Sequence, residues 1–330
     1  MRFSEYMADW LYGESGYYEN YKEIGKDGDF YTAVSSSQFF GGSIAKKIIK
    51  TIENGKLSKS TTICEIGAHK GYLIADIVQF IYTLKPELLK TLSFSIVERY
   101  EKLREKQKSY LEESFGDAVK FSFYSSLDEF NREETFFIAN EIFDAFPCEL
   151  YHNGKIATVK NHKIEFTTID ENISKLAESK DKERGEFAVG YREFGERLSQ
   201  SSDKFLFLSF DYGDRVPRFD FSIRVYSRHR VFPLFEKDLD IEKLFKQSDI
   251  TFDVDFDHLI DEFKESGIEF VDFQTQSRAL VDFGIIELLQ LLKDNSSDEV
   301  YKSELNRIKV LIDPSFLGER FKMIEFQKGL

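Results

Sequence analysis

Residues 64–73 have the sequence C-E-I-G-A-H-K-G-Y-L, in which a strand pattern is followed by a turn and a helix pattern. It continues a β-branched run that ends at Gly67, and it leads into a helical pattern over 72–84. A glycine-bracketed turn between a strand and a helix lets backbone N–H groups approach a bound nucleotide or amino-acid moiety closely. The spacing G-x-H-x-G differs from the G-x-G-x-x-G of a pyrophosphate-binding loop. Taken alone, the motif is also compatible with an ordinary strand-to-helix turn.

Strand and helix patterns alternate from this motif onward. Five apolar or β-branched runs predict strands: 61–66, 92–97, 119–123, 135–139 and 205–210. Helical patterns separate the first three of them, which predicts an α/β fold with a parallel sheet and helices on both faces. Two later runs, 268–273 and 321–326, flank helical sequence and predict an antiparallel pair that closes the sheet.

The remaining segments predict additions to this sheet. Residues 1–55 predict an N-terminal cap of helices and loops, and 56–330 predict a Rossmann-like domain. Its insertions are expected at about 148–203, 214–260 and 276–318. The turn signal His152-Asn153-Gly154 predicts a hairpin in the first insertion. The pattern of the second insertion is ambiguous between helix and strand.

Composition limits the class of function. The 330 residues carry a net charge of −14, so a phosphate backbone would be repelled and no nucleic-acid partner is expected. No apolar run approaches the ~20 residues of a spanning helix, so no membrane insertion is expected. The five histidines lack metal-ligand spacing, so no metal site is expected. Two cysteines and acidic residues near the start predict a cytoplasmic protein in a reducing compartment.

Carboxylates follow the predicted strands at one edge of the sheet. Glu65 lies at the end of the first strand, and Glu98 lies at the end of the second. An acidic side chain at the position of Glu98 can accept both ribose hydroxyls of an adenosyl group. Asn140, Glu141 and Asp144 follow the fourth strand, and such a set suits a cationic substrate such as a guanidinium. Solvated strand ends, or helix capping by Asn140 and Asp144, are the structural alternatives.

An ordered set of motifs resembles the MidA-like methyltransferase family, whose mitochondrial members help assemble respiratory complex I. The motifs are Y-G-E-S-G-Y-Y at 12–18, I-G-K-D-G-D-F-Y-T-A at 24–33, Q-F-F-G at 38–41, E-I-G-A-H-K-G-Y-L at 65–73, V-E-R-Y-E-K-L-R-E-K-Q at 97–107, A-N-E-I-F-D-A-F-P at 139–147, D-Y-G at 211–213, S-D-I-T-F-D-V-D-F at 248–256, T-Q at 275–276 and G-E-R-F-K at 318–322. Because the set is ordered and covers most of the chain, it is much more specific than any single motif.

The resemblance implies a Rossmann-like class I methyltransferase fold with helical insertions and S-adenosylmethionine as methyl donor. It also implies methylation of arginine on a protein acceptor, which is a complex I subunit for the studied mitochondrial members. The residues that it assigns to donor binding are Glu65, Gly67, His69, Gly71 and Glu98, with Asp29, Phe30 and Thr32 as a cap. Those that it assigns to the methyl-transfer edge are Asn140, Glu141 and Asp144.

The chain departs from the family pattern at three places. His69 stands where the family has the central glycine of the donor loop, Ala33-Val34-Ser35-Ser36 where the family has a segment with a Pro-Glu pair, and Gly42 where it has a glutamate. These departures are the observations that support an alternative function, namely a non-catalytic assembly chaperone that kept the methyltransferase fold. A nicotinamide dehydrogenase is disfavoured by the glycine spacing. The leading prediction is an arginine methyltransferase in which Glu141, supported by Asp144, orients the guanidinium.

Overall fold

The computed structural model describes residues 1–19, 33–216, 218–228 and 230–330. These residues form two compact units. The sheet unit contains 33–141, 195–211 and 263–330, and the accessory unit contains 1–19, 142–194 and 212–262. The boundary expected at residue 55 does not coincide with this division, because residues 1–19 of the expected N-terminal cap belong to the accessory unit and residues 33–55 belong to the sheet unit.

The sheet unit combines strands and helices in the alternation that the sequence predicts. Its strands are β1 (Thr62–Ile66), β2 (Ser93–Val97), β3 (Phe121–Tyr124), β4 (Arg132–Asn140), β9 (Ser202–Asp214), β14 (Glu269–Thr275) and β15 (Phe321–Lys328). Its helices are α2 (Ala33–Ser36), α3 (Phe39–Glu53), α4 (Tyr72–Leu84), α5 (Glu101–Phe115), α10 (Gln276–Asp282), α11 (Ile285–Asn295), α12 (Asp298–Ile312) and α13 (Leu317–Arg320), with short 3₁₀ turns at Pro86–Lys90 and Leu127–Glu129. The last residues of β9 belong to the accessory unit.

The main sheet has the strand order β14-β15-β9-β4-β1-β2-β3. Pairing is parallel between β1 and β2, β2 and β3, β1 and β4, and β4 and β9, whereas β14 and β15 pair in antiparallel orientation. The prediction of a mostly parallel sheet with an antiparallel closing pair is therefore confirmed.

The position of β1 fixes where a ligand can bind. All five residues of β1 are buried, as expected for a central strand that is covered on both faces. From β1 the chain passes through α4 to β2 on one side, whereas β4 pairs with the other side of β1. The strand order therefore reverses at the carboxyl ends of β1 and β4, and open α/β sheets bind their ligands at such a switch point.

The accessory unit contains two small antiparallel sheets, so the first two insertions are not purely helical. Its strands are β5 (Cys148–His152), β6 (Lys155–Lys160), β7 (Lys163–Thr168), β8 (Arg184–Ala188), β10 (Arg224–Ser227), β11 (Arg230–Pro233), β12 (Asp249–Thr251) and β13 (Val254–Asp255). Its helices are α1 (Phe3–Tyr12), α6 (Glu171–Ser179), α7 (Tyr191–Ser201), α8 (Ile241–Leu244) and α9 (Phe256–Glu265), of which α7 and α9 end in the sheet unit.

Local sequence explains the better-predicted parts of this unit. The strand orders of its two antiparallel sheets are β7-β6-β5-β8 and β11-β10-β12. Asn153 and Gly154 have φ angles of 49° and 82°, so they form the expected tight turn between β5 and β6. Within the expected N-terminal cap, α1 buries the side chains of Phe3, Met7 and Trp10. Among the described residues, no helix is both long enough and apolar enough to cross a lipid bilayer.

Candidate active site

The turn after β1 adopts left-handed backbone at every second residue. Gly67, His69 and Gly71 have φ angles of 73°, 46° and 79°. The Gly67 N–H donates to the Val97 carbonyl at 2.9 Å, and the Gly71 N–H donates to the Ala68 carbonyl at 2.7 Å. Glycine adopts these angles at little cost, whereas a histidine pays a steric penalty. His69 therefore occupies a position whose conformation suits glycine.

Glu65 lies directly beneath this turn. Its carboxyl group is buried and accepts a hydrogen bond at 3.0 Å from the N–H of Ile74, the third residue of α4. It thus satisfies one of the free N–H groups that begin the helix. Burial raises the pKa of Glu65 to about 8; the Ile74 N–H opposes this rise, and the charges of Asp76 and Glu98 add to it. A bound cation nearby would favour the ionised carboxylate.

Glu98 is the first residue after β2, and its side chain is buried. Burial raises its pKa, while hydrogen bonds from the Tyr100 N–H and from the Gln107 side chain oppose that rise. The Tyr100 N–H lies 3.2 Å from the Glu98 carboxylate, and Arg104 Nη1 donates to the Glu98 carbonyl oxygen at 2.7 Å. Both the backbone and the side chain of Glu98 are therefore fixed by neighbouring groups.

Strand register brings the predicted residues of the sheet unit to one edge. The last residue of β1 is aligned with the last residue of β2 and with Ala139 of β4. Gly67, Glu98 and Asn140 follow these three aligned residues. Because neighbouring strands are about 4.8 Å apart, the turn, the buried carboxylate and the amide share the switch point.

Glu141 follows Asn140 in a left-handed conformation, with φ of 54°. Its N–H donates to the Phe210 carbonyl at 2.8 Å, and its Oε1 accepts a hydrogen bond from Asn140 Nδ2 at 2.8 Å. Asn140 Oδ1 is buried and accepts no hydrogen bond from any residue that the structure describes. A strained carboxylate residue beside an unsatisfied amide oxygen is typical of a ligand-binding edge.

Asp144 belongs to the accessory unit and has its own partners there. Burial raises its pKa to about 6; a hydrogen bond with Tyr212 and the charge of Arg224 oppose the rise, whereas the charge of Asp253 adds to it. Its carbonyl oxygen accepts from the Phe252 N–H at 3.2 Å. The alternative of helix capping at this segment is wrong, because β5 is the next element after β4 along the chain.

The predicted cap residues Asp29, Phe30 and Thr32 lie outside the described residues. Within the described ranges, no group of three or more His, Cys, Asp or Glu side chains is arranged to hold a metal ion. Sequence reasoning missed Gln107, which donates to the turn after β1 and influences the Glu98 carboxyl group. Its signal was a polar residue at the four-residue spacing of Leu103 and Leu111, on the buried face of α5.

These residues fit a donor that contains a nucleoside and an amino-acid part. Glu98 offers a buried carboxylate for ribose hydroxyls, and the turn from Gly67 to Gly71 brings backbone close to the carboxyl end of β1. The unsatisfied Asn140 Oδ1 is an acceptor that remains for a ligand group at the same edge. The expected donor chemistry therefore agrees with the groups present.

Three comparisons identify the relatives of this chain. A family model described as "Putative S-adenosyl-L-methionine-dependent methyltransferase" matches residues 43–274. A Bos taurus protein named "Protein arginine methyltransferase NDUFAF7, mitochondrial" is 26% identical, over 97% of this chain and 78% of its own length. The Danio rerio protein of the same name is 24% identical, over 97% of this chain and 81% of its own. The word mitochondrial in these names does not support the prediction of a cytoplasmic protein.

Solved structures agree on the fold. A Burkholderia thailandensis protein crystallised with S-adenosyl-homocysteine superimposes with a TM-score of 0.84 at 21% identity, covering 100% of this chain and 88% of that one. A native crystal structure from the same organism gives 0.82 at 22% identity, with 100% and 87% coverage. The family model spans more than half of the chain, and S-adenosylmethionine is the methyl donor that its description names. The chain therefore belongs to the S-adenosyl-L-methionine-dependent methyltransferase family.

Proposed function

We propose that this methyltransferase modifies an arginine side chain of a protein acceptor. The observation that carries the proposal is the Glu141 carboxylate, which a left-handed backbone and the Asn140 amide hold at the carboxyl end of β4. A carboxylate matches the planar N–H groups of a guanidinium. The names of the relatives point to the same acceptor group.

The acceptor protein is the less specific part of the proposal. The resemblance of the motifs implies a subunit of respiratory complex I, or a protein of its assembly. Cys64 and Cys148 are free and buried, which supports a location in a reducing compartment. The cytoplasmic location expected from the sequence remains a prediction.

The residues of the sheet unit suggest how transfer would proceed. Bound S-adenosylmethionine supplies a methyl group on a positively charged sulfur. Glu141 would accept hydrogen bonds from the guanidinium and align its nitrogen with that methyl group, and alignment alone supplies roughly 7–11 kcal/mol in favourable cases. The new nitrogen–methyl bond would form as the sulfur–methyl bond breaks and the donor leaves as a neutral thioether. The nitrogen would then lose a proton, which the Glu141 carboxylate can accept. Asn140 Nδ2 would keep one carboxylate oxygen in place.

Replacement of Glu141 by glutamine tests this role. The amide preserves size and one acceptor oxygen but cannot take the proton, so Glu141→Gln should lower kcat at least 100-fold. Donor affinity should stay within twofold of wild type, because Glu141 would contact the acceptor. Radiolabelled S-adenosylmethionine with complex I subunits as acceptors gives the rate, and calorimetry gives the affinity.

The controls separate the parts of the proposal. Asp144→Asn reports whether the accessory unit's carboxylate shares the role predicted for it. Methylarginine in the digested acceptor identifies the modified side chain. A Glu141→Gln protein that methylates arginine at the wild-type rate would refute the role of Glu141, and methylation of another side chain would refute the arginine assignment.

A further inference from the structure

One fully buried polar side chain connects two parts of the donor site. Gln107 lies on α5, where the other buried side chains are Leu103 and Leu111, one helical turn before and after it. This spacing places all three on one face of the helix. An apolar residue would satisfy packing at that position, whereas a buried amide is costly unless it forms hydrogen bonds.

The amide of Gln107 reaches two separate segments. Its Nε2 donates to the His69 carbonyl oxygen at 2.9 Å, within the turn after β1. The same side chain also opposes the rise in the pKa of the buried Glu98 carboxyl group, which is the effect of an amide N–H directed at a carboxylate. Both partners are acceptors and an amide nitrogen carries two N–H groups, so the pair fixes the orientation of the amide. Gln107 Oε1 is buried and accepts no hydrogen bond from any described residue.

The contacts also explain how the turn keeps its shape. His69 has a φ of 46°, a left-handed conformation that neighbouring groups help to stabilise in a non-glycine residue. The Cγ of Gln107 would lie 3.7 Å from a Cβ added at Gly71, so the side chain packs along the turn as well as bonding to it. The turn is thereby attached to α5 through the His69 carbonyl oxygen.

We propose that Gln107 is a positioning residue of the donor site, which holds the turn after β1 and the Glu98 carboxylate in one fixed arrangement. This inference rests on the proposed binding of the donor ribose by Glu98. Gln107 acts through its two partners, because its side chain is enclosed. Preorganised groups bind more tightly than groups that must be ordered by the ligand.

Replacement by leucine removes both hydrogen bonds and keeps the volume. Gln107→Leu should weaken S-adenosylmethionine binding about tenfold by calorimetry, raise the KM for the donor similarly, and change kcat less than threefold. Backbone amides of 67–71 should exchange with deuterium at least fivefold faster in the ligand-free protein. Leu103→Met on the same helix face is the matched control. It should change neither the donor affinity and kinetic constants nor the amide exchange of 67–71.

A charged replacement gives a readout that a purely structural role would not move. Gln107→Glu places a second carboxylate beside Glu98, so its donor affinity should fall further as the pH rises from 6 to 8. Wild-type affinity and pH dependence in both Gln107 variants would overturn the proposal, as would unchanged exchange of the turn. The exchange measurement needs no donor or acceptor. If wild-type protein bound no donor, the proposed function would therefore fail separately, while exchange still tested Gln107.

Discussion

At the scale of single residues, the conformation of His69 leads to a prediction about donor affinity. Its φ of 46° lies in the left-handed region, where a non-glycine residue costs roughly 1 kcal/mol or more. His69→Gly should remove both this strain and the imidazole ring, and the wider site should bind S-adenosylmethionine up to about fivefold more tightly. The gain is limited because glycine also makes the turn more flexible in the ligand-free protein, and binding must then order it. Calorimetric titration at pH 5.5 and 7.5 measures the effect.

The same substitution can also reveal a different role for the imidazole ring. If the ring binds the donor's carboxylate, His69→Gly should weaken binding, and more so at pH 5.5, where a histidine with a pKa near ~6.5 is charged. Equal affinities of both proteins at both pH values would contradict both roles. The left-handed φ angle favours the steric role, because it shows that the backbone here takes the conformation of a glycine.

Residue patterns predicted the position of the carboxylates but not what holds them. Glu65 and Glu98 could be placed because parallel strands end at a common edge, and the structure places them there. Their roles toward the donor remain predictions. Gln107 could not be assigned, because its partner His69 is 38 residues distant and contributes only a backbone oxygen. A backbone acceptor leaves no trace in the amino-acid pattern.

At the scale of helices, the packing of α3 against α4 explains one departure from the family pattern. A Cβ atom at Gly42 would lie 2.7 Å from Cε1 of the Phe80 ring, closer than packed carbon atoms allow. The Phe80 ring also packs edge-on against Phe39, with 5.5 Å between ring centroids. The glutamate that the family has at this position is therefore incompatible with Phe80 in its present rotamer.

This packing predicts the effect of a small substitution. Gly42→Ala should destabilise the protein by about 1 kcal/mol, because overpacking costs about 1–3 kcal/mol and alanine returns up to about 1 kcal/mol of helix propensity. Urea unfolding followed by circular dichroism measures the difference in the free energy of unfolding.

A second variant separates the clash from the helix propensity. Combining Gly42→Ala with Phe80→Leu should cost less than the sum of the two single changes, because the smaller side chain makes room for the methyl group. Additive losses, or a stabilised Gly42→Ala protein, would show that the ring moves aside freely. Lys50→Ala, at an exposed position of α3, reports the effect of alanine without the contact.

Elements with a clear period were predictable, and elements held by tertiary contacts were not. The helix over 72–84 was predicted to the residue, because its apolar side chains recur at helical spacing after a left-handed glycine. The segment 214–260 remained ambiguous because β10, β11 and β12 have only four, four and three residues. Strands this short are specified by their pairing partners rather than by their own pattern.

At the scale of the whole molecule, burial that positions carboxyl groups also changes their protonation. The pKa of Glu65 is raised to about 8 and that of Asp76 to about 7, in both cases chiefly by burial. Asp144 in the accessory unit is raised to about 6, also chiefly by burial. A cationic ligand bound beside any one of these carboxyl groups would favour its ionised form.

The raised pKa values determine how stability depends on pH. A carboxyl group whose pKa is higher in the folded than in the unfolded protein binds protons more tightly when folded, so its contribution to stability is complete at low pH and is lost as the pH rises. For Glu65 the loss extends from its ordinary value of 4.5 to about 8. The free energy of unfolding of the ligand-free protein should therefore fall between pH 6 and 8.5.

Buried His258, whose pKa is lowered by burial, acts in the opposite direction near pH 6.5, so the Glu65 contribution must be isolated by substitution. Glu65→Gln keeps an oxygen for the Ile74 N–H but cannot titrate, so its thermal midpoint should fall by at least ~2 °C less than that of wild type over this pH range. Exposed Glu129→Gln serves as the control and should retain the wild-type slope above pH 6, because the pKa of Glu129 is lowered rather than raised. Identical slopes for wild type and Glu65→Gln would show that Glu65 is already ionised at pH 6 in the folded protein.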